Sequence, residues 1–175
     1  SVNPVKIWAE PDPLPLPELP RAFYVSLSGT HRAPFTNWAM AATNIHEAVQ
    51  AAGAAPDGHV WVSNGLYCLS APVAVSNGIT VRGVHGAART VLDGGGASRG
   101  VSVAHGRAVV YGFTISNCAA EAGAEGGGVR LSQGLVSNCR LLANRAARGG
   151  GAAVGAGGIL RNCLVSGNAA ADSGG

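Results

Sequence analysis

The chain has 175 residues, of which 47% are apolar, only 5% aromatic and 12% charged, with 27 glycines and a net charge of +3. That length suits one domain with a continuous core, and so little charge with so much glycine excludes a helical bundle in favour of a narrow β-structure with tight corners. Eleven arginines stand at separate positions and Lys6 is the one lysine, which excludes the basic runs of a nucleic-acid binder. No apolar run reaches the roughly 18 residues of a membrane span.

In chain order, residues 1–21 form a proline-rich segment: Pro4, Pro11, Pro13, Pro15, Pro17 and Pro20 are six of the nine prolines. Alternating Pro and Leu favour an extended polyproline conformation that cannot join a sheet interior. The segment is therefore a stiff linker or a strap lying along the domain. Leaving Ile7, Trp8, Leu14 and Leu16 in water costs about 1.5–3 kcal/mol each. That favours a docked strap and makes these four residues a candidate inter-subunit clamp.

The domain proper runs from 22 to 175, with a cap over about 22–58 and coils over about 59–175. Ala22-Phe23-Tyr24-Val25-Ser26-Leu27 reads as the first strand, and residues 28–41 as a turn-rich connection that holds Trp38. Thr43 and Asn44 supply a helix N-cap, with Glu47 at capping-box distance from Asn44. Ile45, Ala48, Val49 and Ala52 then give the i, i+3, i+4, i+7 stripe of a short amphipathic helix ending near Gly53. A helix just ahead of the first regular coil is placed to plug the open end of a solenoid core.

Short strands follow at 60–62, 73–75, 79–81, 90–92, 101–103, 109–110 and 113–115. Asn64-Gly65, Asn77-Gly78 and Asp93-Gly94 lie between them. In a hairpin protein such dipeptides mark reversals; here they read as corners of a coil, because the sequence repeats itself. Val136-Ser137-Asn138-Cys139-Arg140-Leu141 returns 24 residues later as Leu160-Arg161-Asn162-Cys163-Leu164-Val165, and Val110-Tyr111-Gly112-Phe113-Thr114-Ile115 precedes it by 26. Ile79-Thr80-Val81-Arg82-Gly83 is an earlier, weaker copy. Each copy runs through small residues into a glycine cluster: Gly126 to Gly128, Gly149 to Gly151, and Gly174-Gly175. A period in the twenties with short β-runs and glycine turns marks a stacked solenoid.

Two repeat columns follow from this alignment. Gly83, Gly112, Asn138 and Asn162 share one, and Gly and Asn are the residue types that tolerate left-handed backbone angles; asparagines stacked there have partners above and below. Phe113, Cys139 and Cys163 share the next, an inward apolar column. Neighbouring parallel strands lie about 4.8 Å apart, so Cys139 and Cys163 are either stacked buried thiols or an inter-coil disulfide. Cys118 falls in the column of Asn144 and Asn168, without a cysteine partner. Neither a Cys-x-x-Cys pair nor Cys/His ligand spacing occurs, and zinc is not expected.

The stretch Tyr24-Val25-Ser26, Ser28-Gly29-Thr30-His31, Pro34-Phe35-Thr36-Asn37-Trp38-Ala39, Ala41-Ala42-Thr43-Asn44-Ile45, Ala48-Val49, Gly58-His59-Val60 and Gly65-Leu66-Tyr67 resembles the N-terminal cap of bacterial right-handed parallel β-helix proteins, the pectin-lyase-like superfamily. The Gly112-Phe113-Thr114-Ile115 and Asn-Cys coils resemble its repeat units, and the likeness covers residues 22–175. It implies an all-β, right-handed parallel β-helix with a short N-terminal capping helix and a proline-rich strap. For function it is unspecific, since the superfamily holds polysaccharide lyases and hydrolases, phage tailspikes, adhesins and surface proteins of unknown chemistry.

Glycoside hydrolysis needs two carboxyls roughly 5–10 Å apart across one bond. The acids are Asp12, Asp57, Asp93, Asp172, Glu10, Glu18, Glu47, Glu121 and Glu125; only Glu121 and Glu125 lie together, on one loop, and no Asp-x-Asp occurs. Asp93 in its Asp-Gly corner has a turn role. His31, His46, His59, His85 and His105 are isolated in sequence, and His85 and His105 on successive coils, joined by Asp93, are the one candidate constellation. Serines lack a nucleophile-elbow context, and the glycine runs lack the Lys-Ser/Thr of a phosphate loop. The expectation is no catalytic residue, no metal and no cofactor. The chain is expected to be an extracellular or cell-surface structural solenoid, a module of an adhesin or stalk or a head-to-tail fibre whose partner is itself. The last copy stops partway through a coil at Asp172-Ser173-Gly174-Gly175, which suggests that a further coil continues it. The alternative is a polysaccharide-binding or polysaccharide-degrading β-helix, with Trp8, Trp38, Trp61, Tyr67 and Tyr111 as stacking residues.

Overall fold

A computed structural model describes residues 21–55 and 57–174. The proline-rich strap, with the clamp residues Ile7, Trp8, Leu14 and Leu16, lies outside the described residues. Alternating Val, Ile, Leu and Phe with polar or small residues gives short strands with one face in and one face out. They are β1 (Ala22–Val25), β2 (His59–Val62), β3 (Gly65–Cys68), β4 (Val73–Val75), β5 (Thr80–Gly83), β6 (Thr90–Asp93), β7 (Val101–Tyr111), β8 (Thr114–Ser116), β9 (Val129–Ser137), β10 (Arg140–Leu142), β11 (Arg145–Arg148), β12 (Ala152–Arg161), β13 (Leu164–Ser166) and β14 (Ala169–Ser173). The one helix among the described residues is α1 (Ile45–Gly53).

Every strand pair is parallel, and the chain winds through about five turns of a β-solenoid. One wall stacks in the order β1, β2, β5, β7, β9, β12, and a second in the order β3, β6, β8, β10, β13. A third wall pairs β4 with the first residues of β7, and those in turn with the first residues of β9 and β12. The long strands thus turn a corner without leaving the ladder, at register shifts near Ala104 and between Val154 and Gly157. On the first wall Val60, Val81, Val110 and Val136 stack inward in one file, each at most 1% exposed. Burying each contributes about 1.5–3 kcal/mol, and no coil closes this core alone.

The corners explain the repeat. Gly112, Asn138 and Asn162 occupy one column with φ of 79°, 52° and 49°, the left-handed region that Gly and Asn enter most readily. Asn162 Nδ2 donates to Asn138 Oδ1 one coil away. The next corner has Asn117, Ala143 and Gly167 at φ of 51°, 53° and 63°. Directly after it Asn144, 1% exposed, points inward. Its Oδ1 accepts the Cys118 N–H at 3.0 Å, and its Nδ2 donates to Ile115 O and Asn168 Oδ1, both at 3.0 Å. Asn168 Oδ1 also accepts the Asn144 N–H at 2.9 Å. Polar side chains are tolerated inside because they replace the backbone bonds that the corners break.

At the N-terminal end α1 adds Ile45, Ala48, Val49 and Ala52 to the core. The Asn44 side chain caps it by accepting from His46 N and Glu47 N, as the spacing predicts. Glu47, however, returns its carboxylate to Asn44 Nδ2 at 3.0 Å and to His31 Nε2 at 3.0 Å, which departs from the usual capping box. Three strand expectations need correcting. The first strand ends at Val25, because Val25 bridges to Ala42 and the chain then turns. Residues 65–68 are a strand rather than a corner alone, and 101–111 is one continuous strand.

Candidate ligand-binding face

Inward Val and Phe on the first wall force their neighbours outward, and strand register decides which outward residues meet. Tyr24 pairs with Trp61, Trp61 with Arg82, Arg82 with Tyr111, and Tyr111 with Ser137. At a strand spacing of about 4.8 Å, the four large side chains form a file about 15 Å long, parallel to the solenoid axis. The Arg82 guanidinium lies 4.8 Å from the Tyr111 ring centre and 5.8 Å from that of Trp61, held between two π-faces. His59 stacks beside Trp61 at 6.0 Å with 15° between the planes. Trp38, brought over from the cap connection, meets Tyr24 edge-on at 4.7 Å and stays 43% exposed.

The strip runs into a groove of about 610 Å³ at the same end of the molecule. Ser26, Ser28, Ser63, Asn64, His85 and the shared Trp38 line it. Ser26 Oγ and Ser28 Oγ are 3.0 Å apart, and Ser63 Oγ meets Tyr67 Oη at 3.1 Å. Flat π-surface beside hydroxyl, amide and imidazole groups suits a hydroxylated, ring-built ligand.

Of the stacking residues the sequence suggests, Trp38, Trp61 and Tyr111 lie on this face. Tyr67 does not: it is 3% exposed, points into the core, and burial raises its hydroxyl pKa. Trp8 lies outside the described residues. Tyr24 and Arg82 were not anticipated, and only their spacing relative to Trp61 and Tyr111 under the correct register reveals them.

The acids are dispersed. Glu125 pairs with Arg148 at 2.8 Å and lines one groove, while Glu121 lines another. Asp57 pairs with Arg107 at 2.8 Å. Asp93 Oδ1 accepts the Gly95 N–H at 2.7 Å and Asn117 Nδ2 at 3.1 Å, the turn role its Asp-Gly context implies. The trio of His85, His105 and Asp93 is not assembled: His85 lines the serine groove, and His105 Nδ1 accepts the Arg107 N–H at 3.1 Å. Among the described residues no group of three His, Cys, Asp or Glu side chains has metal-binding geometry, and no helix is long and apolar enough to cross a membrane.

The inward column of the second wall holds Phe113, 0% exposed, then Cys139, 2% exposed, then the half-buried Cys163. Cys118 is buried and its thiol pKa is pushed up to about 12, chiefly by burial. Comparison with known protein families, with curated proteins and with solved structures finds no match.

Proposed function

We propose that this chain is a non-catalytic, extracellular β-solenoid module that binds an extended polysaccharide along the Tyr24–Trp61–Arg82–Tyr111 file. The register-aligned file carries the reading: Trp38, exposed beside Tyr24, offers a ring face to a sugar, and Arg82, held in place by Trp61 and Tyr111, meets a hydroxyl or carboxylate. The serine groove at Trp38 extends the track. Among the described residues the acids are dispersed, and Glu47, Asp57, Asp93 and Glu125 are each engaged with a neighbour, which supports binding without cleavage. Affinity electrophoresis through gels containing neutral or uronate-bearing polysaccharides tests it. Retardation by at least one polymer is expected, weakened about tenfold, or ~1.4 kcal/mol, in Trp61→Ala and in Tyr111→Ala. Glu121→Ala with Glu125→Ala leaves retardation unchanged. Mobility unaffected by every polymer sinks the reading, and turnover of a polymer abolished by the glutamate pair sinks its non-catalytic part.

A second reading, association coil on coil, draws on the coil of β12 to β14. There Val154, Ile159, Leu164 and Val165 are 42–54% exposed along an open parallel edge. A further coil stacked on that edge covers them and extends the ladder. When that coil comes from a second copy, the contact is heterologous and propagates as a filament. Sedimentation then shows concentration-dependent growth of oligomers that Leu164→Glu suppresses; a monomer at all concentrations rules out the second copy.

A further inference from the structure

Cys139 and Cys163 are in register on adjacent coils, flanked by the paired Arg140 and Leu164. The Leu164 N–H donates to Cys139 O at 3.0 Å, which locks that register. Parallel pairing sets their Cα atoms about 4.8 Å apart, within the roughly 4.4–6.8 Å span that a disulfide bridges. Cys139 is enclosed, with its thiol donating to Ser137 O at 3.2 Å. Cys163 is half-buried beside a groove of about 640 Å³ that Asn138, Cys139, Arg140, Asn162 and His85 also line. Cys163 is thus the more accessible thiol of the pair, and its partner stands beside it in the same inward column.

We infer that Cys139 and Cys163 form a dithiol redox site, with Cys163 attacking a hydroperoxide and Cys139 resolving the product into an inter-coil disulfide. The neighbouring Cys139 thiol brings Cys163 down to about 6, and the same proximity together with burial pushes Cys139 up. The downward direction favours the thiolate at Cys163, the form that reacts. Its sulfur attacks one peroxide oxygen, the O–O bond breaks, and the alcohol or water leaves with a proton, giving a sulfenic acid at Cys163. Cys139 attacks that sulfur: the S–S bond forms, the S–O bond breaks, and hydroxide leaves with the Cys139 proton as water. Two electrons pass from the thiols to the peroxide. The product ties two coils together at a column where neither large apolar packing nor an asparagine ladder joins them. Cys68, exposed on another coil, and the deeply buried Cys118 have no such partner.

The folded, fully reduced chain treated with a stoichiometric hydroperoxide, then alkylated under denaturing conditions and mapped by mass spectrometry, tests this. One cross-linked peptide pair containing Cys139 and Cys163 is expected, with Cys118 recovered as an alkylated thiol. In Cys139→Ser the reaction stops at a Cys163 sulfenic acid that dimedone traps; circular dichroism establishes that the variant is folded. Recovery of Cys139 as a free thiol while Cys163 is over-oxidised, joined to Cys68 of another molecule, or unreacted overturns the inference, and the wild-type result stands whether or not the variant folds.

Discussion

The coils that begin with β2 and β5 and those that begin at β9 and β12 share one backbone ladder and fill it differently. In the early coils the interior is Val60, Val62, Val81 and Leu92, and the outer wall carries Trp61 and Arg82, with Tyr111 of β7 next in the file. In the later coils Val129, Leu131, Val136 and Leu141 still fill the interior, but alanine, glycine and cysteine surround them and Asn138, Asn144, Asn162 and Asn168 tie one coil to the next. The early coils are therefore held mainly by apolar burial, the later ones by apolar burial reinforced by hydrogen bonds that run along the axis. Burial leaves the outer face free for large recognition residues. The outer face of the later coils carries polar residues such as Arg130, Gln133 and Arg140 in place of aromatic rings.

Phe113 stands where the two regimes meet, 0% exposed at the head of the column that continues as Cys139 and Cys163. Phe113→Ala is expected to cost about 3–5 kcal/mol, since it opens a cavity that the cysteines below are too small to fill. Asn144→Ala is the matching change in the polar regime. It strands the Cys118 N–H and Ile115 O in the interior, each worth about 1–3 kcal/mol when unpaired, so a loss of about 2–4 kcal/mol is expected. Urea unfolding of both variants checks the pair. A loss below about 1 kcal/mol for Asn144→Ala would remove the distinction between the two regimes.

The parallel solenoid was legible because repetition survives substitution: the columns of Gly112, Asn138 and Asn162 and of Phe113, Cys139 and Cys163 align at nearly constant spacing. What was missed depends on stacking rather than on local preference. β11 is Arg145-Ala146-Ala147-Arg148, poor strand formers that pair because β14 lies alongside. β3 begins at Gly65 in a dipeptide that reads as a turn, and its inward Tyr67 has the look of a surface aromatic. The stretch His105-Gly106-Arg107 resembles a loop, yet the ladder continues through it. The aromatic file was least legible. Tyr24, Trp61, Arg82 and Tyr111 are separated by 37, 21 and 29 residues, and only the lengths of the intervening loops bring them into register.

The smallest expected effect is a gain, and it probes the corners that both regions share. Ala143 is exposed and holds φ of 53° between Asn117 and Gly167 in the same column. A Cβ in the left-handed region costs about 1 kcal/mol or more, which Asn offsets locally and Gly avoids. Alanine does neither. The corner must be kept, because the Ala143 N–H reaches Ser166 O and the next residue is the buried Asn144. Ala143→Gly is therefore expected to stabilise the chain by about 0.5–1 kcal/mol despite the greater freedom glycine gives the unfolded state. Ala146→Gly, three residues on in β11 and with no such strain to relieve, is expected to destabilise by about as much. Opposite signs in thermal unfolding mark conformational strain as the cause. The same sign in both would mean that the later coils respond to loss of side-chain volume alone, and that their corners hold no strain for glycine to release.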